Sequence, residues 1–322
     1  MAGFQTVPGT FDVLAPESAR WSALVASFAT LVEAAGYGLV ITPTFEEVSV
    51  FQRLGESTDL VRKEMYGFED KGGRHLALRP EATASVVRSY IQHRPTTPWK
   101  VWYAGSNFRY ERAQAGRHRE FHQVGVEAIG SADADLDVEV IALGWEFYAA
   151  LGATRVGLSV NSLGDAACRP DYRRLLLEYL QALRPHLCEE HSARLDQNPL
   201  RVLDCKKPEC RKATAGAPRQ LDHLCDPCRD HFERVLAGLE ALGVAYTIDT
   251  ALVRGLDYYT RTTFEYVGGA LESAQNAVGG GGRYDGLVEE MGGMPTPAIG
   301  FALGIERTLL ECAAEGVWSP AQ

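Results

Sequence analysis

Apolar side chains recur at intervals of three and four residues in several parts of the chain, and this spacing is typical of amphipathic helices. The periodicity predicts helices at 17–36, 133–151, 171–183 and 229–242. Gly36 and Gly152 follow the first two segments and supply left-handed residues that end a helix. Asp133 stands where a carboxylate can cap the second helix.

Alternation of polar and apolar residues predicts strands elsewhere. The segments are 38–42, a short strand ending at Arg79, a hairpin of 101–110 with 120–129, and 262–267. Pro80 suits the start of a helix after the short strand, with Glu81 in its first turn. Four consecutive glycines at 279–282 allow the backbone to lie against a ligand, although a flexible loop has the same composition.

The second strand of the hairpin places Phe121, Gln123, Gly125 and Glu127 on one face. Gly125 leaves open space between an amide and a carboxylate, as the floor of a pocket would. Because buried polar side chains need partners, a ligand is one candidate partner for Gln123 and Glu127.

Composition limits the class of protein. The 322 residues are 46% hydrophobic and 23% charged, which is typical of a globular chain long enough for two domains. A net charge of −10 argues against a protein that only coats nucleic acid. The sequence has no signal-peptide pattern and no run of 18 apolar residues, so we expect a cytoplasmic protein without a membrane segment.

Four cysteines, Cys205, Cys210, Cys225 and Cys228, have the spacing C-x4-C-x14-C-x2-C. In a cytosolic chain this spacing favours a structural zinc site with four thiolate ligands. Alternative ligands nearby are Cys188, His191 and His223. Reduced, buried cysteines without a metal are the other interpretation.

Five peptides together resemble those of histidyl-tRNA synthetases, which are class II aminoacyl-tRNA synthetases. The string Arg-Gly-Leu-Asp-Tyr-Tyr at 254–259 resembles the histidine-specific signature, and the glycine run at 278–287 resembles a second one. Residues 41–46, 108–123 and 297–307 resemble class II motifs 1, 2 and 3. The resemblance covers nearly the whole chain.

The resemblance implies roles for particular residues. The residues implied to bind histidine are Glu81, Thr83, Gln123, Glu127, Arg254, Tyr258 and Tyr259. Those implied to bind ATP are Arg109, Glu111, Arg117, Gly304 and Arg307, with Arg112 near ATP or the tRNA acceptor end. Arg109 and Arg254 are implied to be catalytic because they hold the α-phosphate, and Mg²⁺ is implied to bind the β- and γ-phosphates. A carboxylate and a hydroxyl suit an ammonium, and a guanidinium suits a phosphate.

The implied fold is α+β, a class II synthetase catalytic fold with an antiparallel sheet of six or seven strands flanked by helices. We expect the catalytic core at 1–165 and 241–322, and a helical insertion domain at 166–240. The implied partners are L-histidine, ATP, tRNA(His) and a second copy in a homodimer.

Family members continue into an anticodon-binding domain, whereas this sequence ends where that domain would begin. A synthetase-like regulatory subunit of ATP phosphoribosyltransferase, active in histidine biosynthesis, also lacks that domain and is therefore an alternative. It does not keep the catalytic peptides that are present here. A synthetase-like sensor of uncharged tRNA is a third interpretation, which would need additional domains.

Overall fold

An eight-stranded sheet forms the centre of the protein in the computed structural model, which describes residues 4–53, 63–111, 116–253, 256–271 and 276–318. The strands are β1 (Gly38–Leu39), β5 (Trp99–Phe108), β6 (Glu120–Ile129), β7 (Val156–Ser162), β8 (Thr247–Ile248), β9 (Thr260–Gly268), β10 (Ala277–Arg283) and β11 (Ala298–Gly304). Their order across the sheet is β1-β5-β6-β11-β10-β9-β7-β8. The six long strands are antiparallel, as predicted, and a two-residue strand pairs in parallel at each edge. These two edge strands raise the number above the six or seven expected.

Helices cover one face of this sheet. They are α1 (Glu17–Ala34), α4 (Ala134–Ala150), α8 (Asp226–Ala241) and α10 (Ile305–Glu315). Their buried side chains share a core with the inward residues of the strands, among them Val124, Val126 and Phe301. The alternation of β6 thus directs Val124 and Val126 to this core and leaves Gln123 and Glu127 for the opposite face.

The opposite face carries a second core beneath α2 (Val48–Gln52), α3 (Thr83–His93) and α9 (Leu287–Glu290). A three-stranded sheet of β2 (Phe45–Glu47), β4 (His75–Leu78) and β3 (Gly67–Glu69), in the order β2-β4-β3, flanks it. The candidate site lies on this side.

Residues between β7 and β8 form a helical segment, as the periodicity predicts. It contains α5 (Arg169–Ala182), α6 (Glu189–Arg194), α7 (Pro208–Thr214) and α8, joined by short 3₁₀ turns. Its own core is small and includes Tyr172, Leu176, Leu180 and Val202. The predicted domain limits of 166 and 240 stay a prediction.

A buried ionic network joins this segment to the sheet. Asp137 on α4 accepts hydrogen bonds from Arg283 Nε at 2.7 Å and from Thr262 Oγ1 at 2.6 Å, and His231 Nε2 of α8 lies 2.7 Å from its carboxylate. Arg283 and Asp137 are fully buried. Because a buried charge requires a partner, these contacts fix α8 against β9 and β10.

Several local predictions are confirmed, and others need correction. The hairpin, α1, α4 and the Asp133 cap agree with the sequence pattern, and Gly36 and Gly152 have positive φ. The strand predicted at 38–42 contains only Gly38–Leu39. The helix expected from Pro80 begins at Thr83, because both carboxylate oxygens of Glu81 accept backbone N–H groups there.

The four glycines at 279–282 lie inside strand β10 and do not form a loop. A side chain at Gly281 would collide with the backbone of β11, so close packing between neighbouring strands accounts for this glycine. Among the described residues, no helix is both long and apolar enough to cross a membrane.

Candidate functional site

A cavity of about 390 Å³ opens on the second face of the sheet, above β6, β9, β10 and β11. Its volume is in the range of small-molecule sites. Ten of the predicted site residues line it: Glu81, Thr83, Arg109, Glu111, Arg117, Gln123, Tyr258, Tyr259, Gly304 and Arg307. Arg254 and Arg112 lie outside the described residues.

Glu127 lies beneath the cavity floor. Its carboxylate accepts hydrogen bonds from Thr83 Oγ1 at 2.7 Å, Tyr284 Oη at 2.5 Å and, more weakly, Tyr103 Oη at 3.4 Å. The residue is 1% exposed. Thr83, Tyr103 and Tyr284 separate it from the cavity, which all three line.

This arrangement determines which hydrogen bonds the floor can offer. A hydroxyl that donates its proton to Glu127 has only lone pairs left for a ligand. When Glu127 is charged, Thr83 and Tyr284 therefore present acceptors to the cavity. A floor rich in acceptors is complementary to a ligand that carries N–H donors or a positive charge.

Burial raises the pKa of both carboxyl groups. Loss of hydration raises the pKa of Glu127 to about 8. Hydrogen bonds from the surrounding hydroxyls lower this pKa but do not cancel the effect of burial. Loss of hydration also raises the pKa of Glu81, in spite of the two backbone N–H groups that it accepts. A cationic ligand would favour the charged form of either group.

Cationic side chains line another part of the cavity. Arg109 Nε donates to the carbonyl oxygen of Pro80 at 2.9 Å, and its guanidinium lies 5.0 Å from the centre of the Phe121 ring. Arg307 donates to Gly116 O at 3.0 Å and to Ala277 O at 2.6 Å. These backbone contacts hold two guanidinium groups at the cavity, where they suit an anion.

The neighbouring loop residues are also paired. Arg117 forms an ion pair with Glu111, and both residues line the cavity. Glu306, the residue before Arg307 on α10, accepts a hydrogen bond from the backbone N–H of His122 at 2.9 Å. That contact ties the start of α10, and hence Arg307, to strand β6.

The helical segment holds the stretch before β9 in place. Arg169 Nη1 donates to Tyr259 O at 2.8 Å, and Asn198 Nδ2 donates to Asp257 Oδ1 at 3.3 Å. The rings of Tyr258 and Tyr259 are buried, with centroids 4.6 Å apart. The segment therefore contributes to the shape of the cavity.

The space above Gly125 is filled, contrary to the prediction of an open floor. A side chain at Gly125 would meet the Tyr103 ring and the Phe301 carbonyl oxygen at 2.5 Å. Tyr103 faces Gly125 across the β5–β6 pair, so the glycine admits an aromatic ring from the neighbouring strand.

Sequence reasoning missed Tyr103, Tyr284, Asp204 and Lys206, all of which line the cavity. The register of the predicted hairpin was a usable signal for Tyr103, because it places a tyrosine opposite a glycine. Nothing in the local pattern distinguished Asp204 and Lys206 from solvated surface residues.

The structure does not bring the four predicted zinc ligands together. It divides them between two groups: Cys188, His191, Cys205 and Cys210; and Asp165, Cys168, Cys225 and Cys228. The prediction of a single site with these four ligands is therefore wrong. The spacing along the sequence could not show this division, because it does not reveal how α7 and the turn after it place Cys205 and Cys210 relative to Cys225 and Cys228. His223 belongs to neither group.

Comparisons with known proteins agree with this geometry. A family model described as histidyl-tRNA synthetase matches residues 9–308. A histidine–tRNA ligase of Halothermothrix orenii is 50% identical over 316 residues, which are 97% of this chain and 75% of that protein.

Solved structures give the same result. The apo histidyl-tRNA synthetase of S. aureus is 37% identical, with a TM-score of 0.80 over 99% of this chain and 76% of that one. A Bacillus halodurans protein described as an ATP phosphoribosyltransferase regulatory subunit/histidyl-tRNA synthetase has a TM-score of 0.71, over 96% of this chain and 83% of that one. At 23% identity, that second likeness shows the fold alone.

We predict that Glu127→Gln changes how stability depends on pH. Below pH 4.5 both the folded and the unfolded chain hold the Glu127 proton, so the carboxyl contributes no pH dependence. As pH rises from there toward about 8, only the unfolded chain releases it, so the wild type loses stability. The melting temperature of Glu127→Gln minus that of the wild type should therefore increase between pH 5 and pH 8.

The matched control is Glu146→Gln, because Glu146 is an exposed carboxylate on α4. Its melting temperature should follow that of the wild type at every pH. A constant difference between Glu127→Gln and wild type would contradict a raised pKa for Glu127.

Proposed function

Because the chain belongs to the histidyl-tRNA synthetase family, we propose that its cavity activates L-histidine with ATP and transfers the product to tRNA(His). The histidine carboxylate attacks the α-phosphorus of ATP, which forms histidyl-adenylate and releases pyrophosphate. The 3′ end of the tRNA then accepts histidine from the adenylate, and AMP leaves. Relatives about 50% identical bear the name histidine–tRNA ligase, whereas the likeness to a regulatory subunit extends only to the fold.

The observation that carries the proposal is that one cavity has two adjoining parts of different chemistry, one lined by acceptors and one by arginines. Acceptors from Glu81, Thr83 and Tyr284 suit the ammonium and imidazole N–H groups of histidine. Arg109 and Arg307 suit the phosphates of ATP. Burial raises the pKa of Glu81, whereas the charge of Arg109 acts to lower it, so the two parts adjoin. An amino acid held by the acceptors would lie beside the α-phosphate, as adenylate formation requires.

We assign Gln123 and Glu127 to histidine through different contacts. Gln123 lines the cavity, and its Oε1 accepts from Asn107 Nδ2 at 3.0 Å, which leaves its own N–H₂ group for a substrate oxygen. Glu127 acts on histidine through the hydroxyls of Thr83 and Tyr284, or directly once a ligand displaces one of them. Tyr258 and Tyr259 form the wall beside this part.

On the ATP part, Arg109 holds the α-phosphate and Arg307 the γ-phosphate in this proposal. The atoms nearest to the Cβ position of Gly304 belong to Arg307 and to the Val278 carbonyl, at 3.7 Å or more, which leaves room for the nucleotide. Magnesium, when bound, neutralises the outer phosphates. Glu265 lines the cavity and offers the hard oxygen ligand that this ion prefers.

The first test is ATP–pyrophosphate exchange with each amino acid in turn. We expect exchange that depends on histidine, because the acceptors of the floor match its two nitrogen-bearing groups. Arg109→Ala should abolish exchange while leaving the melting temperature within a few degrees of wild type. A folded sample that shows no exchange with histidine would instead favour a regulatory role.

We propose that Arg254 stabilises the α-phosphorus when it becomes five-coordinate, a role assigned from the signature peptide. Arg254→Ala should lower the adenylation rate about 100- to 1000-fold, by analogy with the loss of an oxyanion donor. Arg254→Lys should restore the rate only in part, because an ammonium lacks the planar fork.

Single-turnover adenylation, measured together with a melting curve, tests this role. Arg211→Ala, which removes an exposed arginine of α7, is the matched control and should leave both unchanged. Lower thermal stability with normal adenylation by the folded fraction would show that Arg254 only fixes the turn.

We also propose that the chain forms a homodimer through the surface near β1 and β2. Leu39, Ile41, Phe45 and Phe68 are large apolar residues exposed there, and Ile41 is 85% exposed. Ile41→Glu should convert dimers to monomers, as measured by light scattering. Leu242→Glu, at an exposed apolar residue after α8, should leave the mass unchanged, and a monomeric wild type at micromolar concentration would refute the proposal.

A further inference from the structure

The helical segment contains a group of side chains that the proposed reaction does not use. Cys188, His191, Cys205 and Cys210 each offer one ligand atom, and these four atoms lie within 4.8 Å of one another. All three cysteines are buried and unbridged. We propose that these four residues bind one zinc ion.

The distances fit a tetrahedral site. Zinc bonds of about 2.3 Å to sulfur place two thiolates roughly 3.8 Å apart, within the spread of this group. Cys188 Sγ lies 3.0 Å from His191 Nδ1, so those two side chains need to separate by about half an ångström to reach tetrahedral geometry. Three sulfur ligands and one imidazole form a set typical of structural zinc.

The backbone supports the same assignment. Cys188 precedes α6, and its N–H donates to Cys210 Sγ at 3.3 Å. Such a hydrogen bond stabilises a thiolate and orients it toward a metal. Cys210 lies in the first turn of α7, so a metal would join the starts of two short helices.

The segment needs such a link. Between 184 and 223 its helices and 3₁₀ turns contain three to seven residues each, and helices this short are marginal alone. Its core is small, and three of the four proposed ligands belong to it. Metal binding would therefore contribute directly to the folding free energy of the segment.

The second group of possible ligands is less suitable. In that group Asp165 already pairs with Arg261 Nη2 at 3.2 Å and accepts from the backbone N–H of Ala167 at 2.9 Å. Both oxygens of Asp165 are thus already engaged, which makes this carboxylate a poorer metal ligand than a thiolate or an imidazole. We therefore assign zinc to the first group and use the second as an internal comparison.

The site has a consequence for the cavity that rests on the proposed function. Cys205 lies between Asp204 and Lys206, which line the cavity and form an ion pair at 2.8 Å. Zinc at Cys205 would hold this part of the rim in place. We expect its loss to raise the KM for substrates in pyrophosphate exchange more than it lowers kcat.

Metal content of the full chain, purified without chelator, tests the site independently of activity. We expect about one zinc per chain, lost in Cys188→Ser and Cys205→Ser. It should be retained in Cys225→Ser, from the second group, and in Cys312→Ser, which removes a buried thiol of α10 far from both groups in sequence. Folded wild type without zinc, or zinc lost in Cys225→Ser and kept in Cys188→Ser, would overturn the assignment.

X-ray absorption at the zinc edge uses the wild type and so avoids variants that fail to fold. The expected shell has three sulfurs at about 2.3 Å and one nitrogen at about 2.0 Å, with outer-shell scattering from an imidazole ring. A shell of three sulfurs and one oxygen without imidazole scattering would place the metal in the second group and refute the proposal. Either result stands whether or not the protein catalyses exchange.

Discussion

Removal of the Glu127 carboxylate from water is the constraint on which the candidate site depends. A buried carboxylate is costly unless donors surround it, and here the donors come from three places: Thr83 at the start of α3, Tyr103 on β5 and Tyr284 after β10. A side chain at Gly300 would occupy the position of the carboxylate itself. The floor of the cavity therefore forms only when α3, β5 and the end of β10 pack together around Glu127.

This convergence also explains why the two parts of the cavity differ in charge. When Glu127 is charged, hydroxyls that donate to it turn their lone pairs outward, so the floor attracts donors. The arginines of the other part are held by backbone carbonyl oxygens, and the carboxylates that act on them, Glu81 on Arg109 and Glu111 and Glu265 on Arg307, act through their charge. In the proposed function, the floor therefore receives the N–H groups of histidine and the arginines receive the phosphates of ATP.

The sequence was most informative where a local pattern determines the structure. Helical periodicity, the alternation of the hairpin and the Asp133 cap predicted α1, α4, β5 and β6 closely, and ten site residues were found at one cavity. Contacts between distant segments were not predictable in this way. Tyr103 fills the space above Gly125, and the four cysteines separate into two groups, because both depend on how the chain packs in three dimensions.

Strands β6 and β11 form one ladder in which Glu127 pairs with Gly300 and Gln123 with Gly304. The residues that we assign to the amino acid and to the nucleotide therefore share a single register. An insertion or deletion of one residue in either strand would move side chains to the wrong face and displace both substrates together. Differences in length among related chains should consequently accumulate in the helical segment and the loops, while the spacing from 123 to 127 and from 300 to 304 stays constant.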